Sequence, residues 1–444
     1  PSMELNIHSP LCQTENSLIY GASFSHTWML PGGSQEVVVK LFRLSRDASI
    51  CSQQQAQVES EFITYTSMNQ ALHPNIIATY AREDKIEIGP EQFALLVMER
   101  CHSSLSNFLV QHMTDSSPMT LAGLQTTMIP STSLSPETLR VLCDQLVQAY
   151  LFLHRYQRYS QRHIYPSNLM VSKFTPGQDT GGPYGKDLST ASPATYSLKV
   201  HDFNFVGKLG VPSDPIAKCF KAPEAAQGQN LAGPAGDLWA IGCVLYYIST
   251  GGNMLFMTEA ERDDISKRTT YMKRHGLLQK EPLMVDLINR LTSPKAEERP
   301  PLEVVRHHPA LWSPEMVVTF VCQVSAEMER TDSALSGLVY DIVASPDFFQ
   351  YAFPKASSWE SYVLPPWLEA WKSWTALEGK AWDDRFFKST RTLLRFLHTT
   401  AENFSGGHLG RAQLGTLITQ RLHHFIIALW SHLQQIGQFD ANKN

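Results

Sequence analysis

The first hundred residues alternate short apolar runs with polar breaks, a pattern that is typical of strands. It predicts two or three strands over residues 18–42, with a buried one at 37–39. A second apolar run, residues 93–98, predicts another strand. Residues 52–70, which lie between them, have the polarity of a helix. This part of the chain is therefore predicted to be a sheet with one helix.

The pattern changes to a helical period further along the chain. Ser135 and Pro136 form a helix start, with a capping hydroxyl followed by proline at the first helical position. The apolar face of that helix is formed by Leu139, Leu142, Leu146, Tyr150 and Leu153. Further helical patterns cover residues 314–329, 335–344, 364–374, 384–404 and 411–436. The polar stretches 111–135 and 174–197 are interpreted as loop insertions. Strands followed by a majority of helices predict the α+β class.

Composition narrows the class of protein. The chain has 444 residues, 43% hydrophobic and 18% charged, which fits a globular protein with a large core. A net charge of -5 gives no polyelectrolyte argument for nucleic-acid binding, so RNA is a possible partner that the charge does not support. Seven cysteines without a CxxC pair indicate reduced thiols and a cytoplasmic protein, or a cytosol-facing fragment. We find no signal peptide or bilayer-spanning run, and Pro1-Ser2-Met3 looks like a tag remnant, so we expect the natural protein to extend further.

Several short motifs occur in a fixed order. Lys40 ends the buried strand, Glu59 and Glu61 lie in the first helix, and Glu99 and Cys101 follow the second apolar run. The later motifs are Gln161-Arg162-His163-Ile164-Tyr165-Pro166-Ser167-Asn168, His201-Asp202-Phe203-Asn204, Ala222-Pro223-Glu224, Gly236-Asp237-Leu238-Trp239 and Arg299-Pro300. In this order they resemble the motifs of the protein kinase family. The resemblance implies a bilobal protein-kinase-like fold from residue 18 to 312, divided into lobes at residue 100.

The resemblance also implies a nucleotide cleft. Lys40 would hold the phosphates of ATP, with Glu61 as its carboxylate partner and Glu59 as the alternative. Gly21 would lie in the loop that covers the phosphates. Backbone groups of Glu99 and Cys101 would bond the adenine. Asn168 and Asp202 would hold Mg²⁺.

The same motifs lack the groups that transfer phosphate. Kinases carry Asp where this chain has His163, and Lys where it has Tyr165. Asn204 replaces the glycine that follows Asp-Phe, although Asn tolerates positive φ better than most residues. Since no carboxylate orients a substrate hydroxyl, we expect ATP binding without phosphoryl transfer. The resemblance also predicts a Glu224–Arg299 ion pair that supports the fold.

The rest of the chain resembles a second domain type. The segment from His307 to Glu315 looks like the kinase–nuclease junction in ribonuclease L and in the inositol-requiring enzyme of the unfolded-protein response. Residues 391–397 and 421–426 resemble helix segments of the same nuclease region. This implies an all-α kinase-extension nuclease (KEN) domain over residues 313–440, with residues 1–17 as an N-terminal extension. Tryptophans are concentrated in this region, and core packing is favoured over an exposed partner contact.

The nuclease-like region also departs from its family at the catalytic positions. The positions that match the family's Arg, Asn and catalytic His are His398, Thr399 and Asn403, and the family's tyrosine falls near Arg385 or Phe386. An amide does not titrate, so Asn403 cannot act as a general acid. Residues 313–444 carry 11 Lys/Arg and 13 Asp/Glu, which gives no electrostatic attraction to RNA.

These patterns together predict a double pseudoenzyme that acts as a dimerising scaffold or allosteric regulator. The family resemblance implies a homodimer, or a heterodimer with an active kinase–nuclease relative, with Mg-ATP in the cleft. The alternative is an active, metal-independent endoribonuclease with a rearranged site that is regulated by nucleotide.

Overall fold

The structure is a computed structural model that describes most of the chain. The described residues are 3–13, 17–26, 35–70, 73–113, 133–156, 164–173, 196–201, 218–226, 234–264, 266–330, 334–354, 356–377, 384–403 and 410–436. They form two compact units. The first unit holds the described residues up to 264 together with 294–299, and the second holds 266–293 and the described residues from 300 onward.

A five-stranded antiparallel sheet opens the first unit. Its strands are β1 (Met3–Gln13), β2 (Ser17–His26), β3 (Gln35–Leu44), β4 (Thr79–Ile88) and β5 (Glu91–Glu99), in the order β1-β2-β3-β5-β4. The predicted apolar run forms the buried centre of β5, since Phe93 through Met98 are all buried. Residues 3–13, which we assigned from sequence to an N-terminal extension, form an edge strand of this sheet.

The remaining elements of the first unit are mostly helical. They are α1 (Ala48–Gln70), α2 (Leu105–Gln111), α3 (Pro136–Tyr156), α4 (Pro223–Ala226), α5 (Pro234–Ser249) and α6 (Glu259–Asp263), with a small sheet of β6 (Ser103–Ser104), β7 (Leu169–Lys173) and β8 (Tyr196–Val200). Helix α3 begins as predicted, because the Ser135 hydroxyl accepts a hydrogen bond from the Thr138 N–H at 3.1 Å. Helix α3 packs on α5 and β8.

The second unit is helical in the part that the structure describes. Its helices are α7 (Ser266–Arg274), α8 (Leu277–Lys280), α9 (Pro282–Leu291), α10 (Leu302–Val305), α11 (Pro314–Glu329), α12 (Ala334–Ala344), α13 (Pro346–Ala352), α14 (Pro365–Leu377), α15 (Thr390–Asn403), α16 (Arg411–Arg421) and α17 (His423–Ile436). The predicted tail helices are confirmed in position, but the predicted helix 384–404 is a 3₁₀ turn, Asp384–Lys388, followed by α15, and the predicted helix 411–436 is divided at Leu422 into α16 and α17. The α+β class is also confirmed: the chain has a kinase-type sheet lobe and helical lobe followed by a helical region.

The tail has its own apolar core, organised around α11. Tryptophans are prominent in it, and the buried ones are Trp312, Trp359, Trp367, Trp371 and Trp430. The core-packing interpretation is therefore confirmed for these five, whereas Trp374 and Trp382 lie outside the described side chains. Within the described residues, no helix is both long enough and apolar enough to cross a bilayer.

A buried histidine joins α9 to α17. The Nε2 of His308 lies 3.0 Å from the Asp286 carboxylate, and its Nδ1 accepts the Ala310 N–H at 3.2 Å, so Nε2 carries the proton. The His308 ring packs edge-on against Trp430 with centroids 4.7 Å apart. Arg290 pairs with Asp286 at 2.6 Å and reaches the Ser431 hydroxyl at 3.3 Å. One neutral histidine therefore sits inside a charged network.

Acid should weaken this junction. Burial lowers the pKa of His308 below 6.5, although the Asp286 carboxylate acts in the opposite direction. Burial also lowers the pKa of His423, and the neighbouring His424 lowers it further. As the pH falls through about 6.5, the unfolded chain takes up protons that the folded chain does not, so the free energy of unfolding declines. We expect a lower urea midpoint at about pH 5 than at about pH 7, and a smaller difference in His308→Gln. An equal difference in both proteins would contradict this role of His308.

Candidate functional site

Lys40 lies in the middle of the first sheet. Strand register places it opposite Leu96 of β5 and Ile19 of β2, and its Nζ lies 4.9 Å from the centre of the Phe42 ring. Of its two predicted partners, Glu61 belongs to α1, but its side chain lies outside the described residues. The alternative, Glu59, is exposed and pairs with Arg82 of β4 at 3.4 Å. This pairing draws Glu59 toward β4.

Gly21 lies within a strand. It belongs to β2 and pairs with Val38 of β3, whereas the sequence placed it in a loop that covers phosphates. A Cβ added there would meet its nearest atom, on Arg100, at 3.7 Å, which is ordinary contact. The position therefore needs neither the open backbone nor the conformational freedom of glycine. Gly21 lies in a strand rather than in a loop because β2 continues through it in unbroken register with β3.

The Glu99 carboxylate is engaged in contacts inside the protein. Its carboxylate lies 2.8 Å from the Lys199 Nζ and also accepts the Ala78 N–H, while its own N–H donates to the Ala78 carbonyl at 2.8 Å. Both charged side chains are largely buried, at 19% and 15% exposed. Any contact that residue 99 makes with an adenine therefore comes from its backbone.

Lys199 was not singled out from the sequence. It belongs to β8, three residues before Asp202, and links that strand to the end of β5. The available signal was a lysine within an apolar strand, which implies a buried partner of opposite charge. Its partner Glu99 is 100 residues away in the chain, so no local pattern identifies the pair.

The Cys101 thiol has an unusual environment. Burial raises its pKa to about 12, and the Glu99 carboxylate raises it further against the opposing effect of Lys199. A thiol with that pKa carries almost no thiolate at neutral pH, and the thiolate is the nucleophile. Cys101, which follows β5 and is only partly buried, is therefore expected to be a weak nucleophile in the folded protein.

We expect Cys101 to resist alkylation. Native protein treated with iodoacetamide at about pH 8 should leave Cys101 unmodified, as measured by peptide mass spectrometry, because the thiol remains protonated. The same reagent should modify Cys101 in denaturant, which controls for detection of the peptide. Rapid labelling of Cys101 in the native protein would overturn this assignment.

The loop that carries Asn168 forms a short turn in front of β7. Tyr165 is extended, and its carbonyl accepts the Asn168 N–H at 2.9 Å across a short 3₁₀ turn, Pro166–Asn168. That turn leads into β7, where Leu169 pairs with Val200 of β8. The next residues beyond this last pair are Asn168 and His201, which brings the ends of both predicted metal-binding segments together. His163, Asp202 and Asn204 lie outside the described residues.

The residues predicted to support the fold are in contact. Arg299 makes two hydrogen bonds to Glu224, at 2.6 and 3.0 Å, which confirms the predicted ion pair. The same guanidinium donates to the Ala235 carbonyl at 2.7 Å. The buried Asp237 of α5 bonds His154 of α3 at 3.0 Å. The framework of a kinase helical lobe is thus present.

The nuclease-like positions lie on the last turns of α15. The Asn403 amide donates to the Thr399 carbonyl of its own helix at 2.9 Å, and His398 lies 3.1 Å from Glu402 one turn further on. Glu402 and Asn403 are exposed. Each of these side chains is therefore engaged within one helix. The site contains a histidine beside a carboxylate, and Glu329 of α11, which is paired with Arg395 at 2.6 Å, lies within electrostatic range of His398.

Metal binding has little support in the described part of the chain. No group of three or more His, Cys, Asp or Glu side chains converges there. Asn168 is described, and its predicted co-ligand Asp202 is not. Two oxygen ligands with phosphate oxygens would suit Mg²⁺, which is usually held by few protein groups together with its substrate.

Comparison with known proteins gives one clear family. A model of the protein kinase domain matches residues 29–311. The serine/threonine-protein kinase/endoribonuclease IRE1 of Oryza sativa subsp. japonica is 27% identical over 301 residues, covering 68% of this chain and 30% of the relative. IRE1a of Arabidopsis thaliana is 27% identical over 281 residues, covering 58% and 31%, and human IRE2 is 24% identical over 262 residues, covering 58% and 25%.

The extent of these matches decides what they establish. The chain spans less than a third of the length of these three curated relatives, so the comparison concerns their shared region. The kinase model, by contrast, covers more than half of this chain. The motifs and the Glu224–Arg299 pair agree with it. The chain therefore belongs to the protein kinase family and is homologous to its kinase/endoribonuclease members.

Proposed function

We propose that this protein is a pseudokinase, residues 18–312, joined to a nuclease-like KEN domain, residues 313–440, and that neither part is catalytic. Its role is that of a dimerising scaffold or allosteric regulator. One contrast carries the proposal: residues that support the fold are retained, as in Glu224 with Arg299, while His163 and Tyr165 stand where kinases carry their charged catalytic groups.

Nucleotide binding is retained in this proposal. Lys40, Asn168 and Asp202 would hold Mg-ATP, and backbone groups of residues 99 and 101 would contact the adenine. When bound, Mg²⁺ neutralises phosphate charge. The position of Lys40 in β3 supports this, as does the approach of residue 168 to the end of β8. Gly21 contributes only as a strand residue, which predicts a weaker hold on the phosphates.

The nuclease-like site is proposed to be inactive for a chemical reason. Metal-free RNA cleavage needs a base for the 2′-hydroxyl and an acid for the leaving oxygen. Thr399 and Asn403 supply neither at neutral pH. The His398 imidazole lies 3.1 Å from Glu402 of its own helix, and the nearby Glu329 is paired with Arg395. These groups are engaged with one another rather than placed as a base and an acid on either side of a phosphate.

A non-catalytic chain can still regulate through assembly. A ligand that binds one state more tightly shifts the population toward that state. Mg-ATP in the kinase cleft would favour the assembled form in this way. The partner is a second copy of this chain or an active kinase–nuclease relative.

Thermal unfolding with and without Mg-ATP tests the proposal. Ligand at a hundredfold excess over its Kd stabilises a protein by about 2.7 kcal/mol, which gives a measurable rise in Tm. We expect Asp202→Ala to abolish that rise and Cys322→Ala, in the tail, to leave it intact. Light scattering after size exclusion should show a dimer whose fraction grows with Mg-ATP. A monomer at high concentration in both conditions would contradict the scaffold role.

A further inference from the structure

The segment 266–280 has an unusual charge. It contains five Lys or Arg and no Asp or Glu, in a chain that has 37 basic and 42 acidic residues overall. These residues form α7 and α8 of the second unit. Such clustering concentrates positive potential on one surface. We call this surface the basic face and define it by Lys267, Lys273, Arg274 and Lys280.

The basic face is open to solvent. All four of its cations are exposed, and none makes an ion pair with another described residue. Some other exposed cations pair with acids, as Arg395 does with Glu329 and Lys295 with Glu298, and what distinguishes the basic face is that its cations are clustered in one short segment. Its charge is therefore available to a partner.

Helix α7, which carries most of this surface, is anchored to the C-terminal end of α9. Arg268 donates to the Thr292 carbonyl at 2.7 Å, to its hydroxyl at 2.9 Å and to the Asn289 carbonyl at 3.3 Å, at the C-terminal end of α9. Met272 is buried beside it. Arg268 thus stabilises carbonyls at a helix end, where positive charge is favoured. These contacts fix the orientation of α7 and direct the other cations outward.

Lys267 occupies a position that helix electrostatics disfavours. It lies in the first turn of α7, which contains no acidic residue. The N-terminus of a helix carries partial positive charge, so a cation there costs stability. Asp263 and Asp264, both exposed just before the helix, offset part of this cost, so Lys267 stays on the surface without a large penalty.

The other side chains on this face restrict the kind of partner. Helices α7 and α8 contain three aliphatic residues. Met272 and Leu277 are buried and Leu278 is half-buried, so none of them is exposed as an apolar anchor for a bilayer. The Tyr271 ring stacks on His275 and lies under Arg274, which leaves it poorly placed to stack on a base. Thr269 and Thr270 are exposed hydroxyl donors. Cations with hydroxyl donors suit carboxylates.

We propose that the basic face is a docking surface for an acidic, extended segment of a partner protein. Lys267 and Arg274 lie two turns apart on one side of the helix, about 10 Å along its axis. An extended peptide spans that distance in about three residues. A segment with an acid at every third or fourth residue therefore matches the cations in charge and spacing.

Fluorescence anisotropy with a labelled oligoglutamate peptide tests this proposal. The intact chain should bind the peptide, with affinity that falls steeply as salt is added. Lys267→Glu combined with Lys273→Glu and Arg274→Glu should weaken binding by at least about tenfold. The matched control changes three exposed cations elsewhere, Lys85→Glu, Lys173→Glu and Lys388→Glu, and should bind much as the parent does.

Unfolding is excluded as a cause by a second measurement. Lys267→Glu places an acid in the first turn of α7, which helix electrostatics favours, whereas Lys273→Glu and Arg274→Glu place acids in its last turn, which it disfavours. Circular dichroism and thermal melting should therefore show that the triple variant is fully folded at the temperature of the binding assay. Equal loss of binding in both triple variants would overturn the proposal, since net charge alone would then explain it. Tighter binding to phosphatidylserine vesicles or to RNA, lost in the same basic-face variant, would equally refute the peptide assignment.

Discussion

Replacing Arg299 by alanine should lower the free energy of unfolding by about 3–5 kcal/mol. The Arg299 side chain is fully buried, and Glu224, which it pairs with, is only 12% exposed. The substitution leaves that carboxylate without its counter-charge and the Ala235 carbonyl without a donor. It also removes the guanidinium from above the Trp239 ring, 5.2 Å away. Urea unfolding followed by circular dichroism measures the effect.

An exposed ion pair a few residues away provides the control. Lys295 lies 2.8 Å from Glu298, and both side chains are more than half exposed. Lys295→Ala should leave the urea midpoint unchanged within error, because water solvates either charge when its partner is lost. If Arg299→Ala were as mild as Lys295→Ala, the pair would not be a support of the helical lobe.

Replacing Gly415 by alanine should destabilise the tail by about 3 kcal/mol or more. A Cβ at this position would lie 2.2 Å from the Pro314 carbonyl oxygen and 2.5 Å from its carbon. These are backbone atoms at the start of α11, so no side-chain rotation can relieve the clash. Helix α16 would have to move away from α11, on which the tail core is organised. Tryptophan fluorescence reports this, because five buried tryptophans lie in that core.

Gly337→Ala is the matched control. Gly337 lies in α12 with no atom within 4 Å of an added Cβ. Alanine should stabilise this exposed helical position by about 0.5–1 kcal/mol, through the lower conformational entropy of the unfolded chain. If Gly415→Ala lowers the free energy of unfolding while Gly337→Ala raises it, close packing at residue 415 is the cause of the loss. A tail that tolerates Gly415→Ala would contradict the tight α11–α16 contact.

Much of the fold could be predicted because its signals are local. The helical pattern over residues 314–329 predicts α11, and the structure places the helix at Pro314–Glu329, where the Ser313 hydroxyl accepts the Met316 N–H at 3.2 Å. The apolar run before Glu99 predicts β5 equally well, because a buried strand needs little more than that run. Glu224 and Arg299 were paired through the family resemblance, since no local pattern links residues 75 apart.

Features that depend on tertiary contact could not be predicted in this way. Strand β1 contains Pro10 and has two register shifts against β2, so its residues show no regular alternation. Gly21 was assigned to a phosphate-covering loop through the family resemblance, yet its pairing with Val38 of β3 places it within a strand. The partners of Lys199 and His308 are set by how strands and helices meet, which residue type alone does not specify.

The proposed absence of phosphoryl transfer can be measured directly. Purified protein should be incubated with Mg²⁺, γ-phosphate-labelled ATP and a generic protein substrate, beside a variant that restores His163→Asp and Tyr165→Lys. The account predicts no transfer above background by the parent, because no carboxylate orients the acceptor hydroxyl. Transfer by the parent that persists through purification and disappears in Lys40→Ala would contradict it.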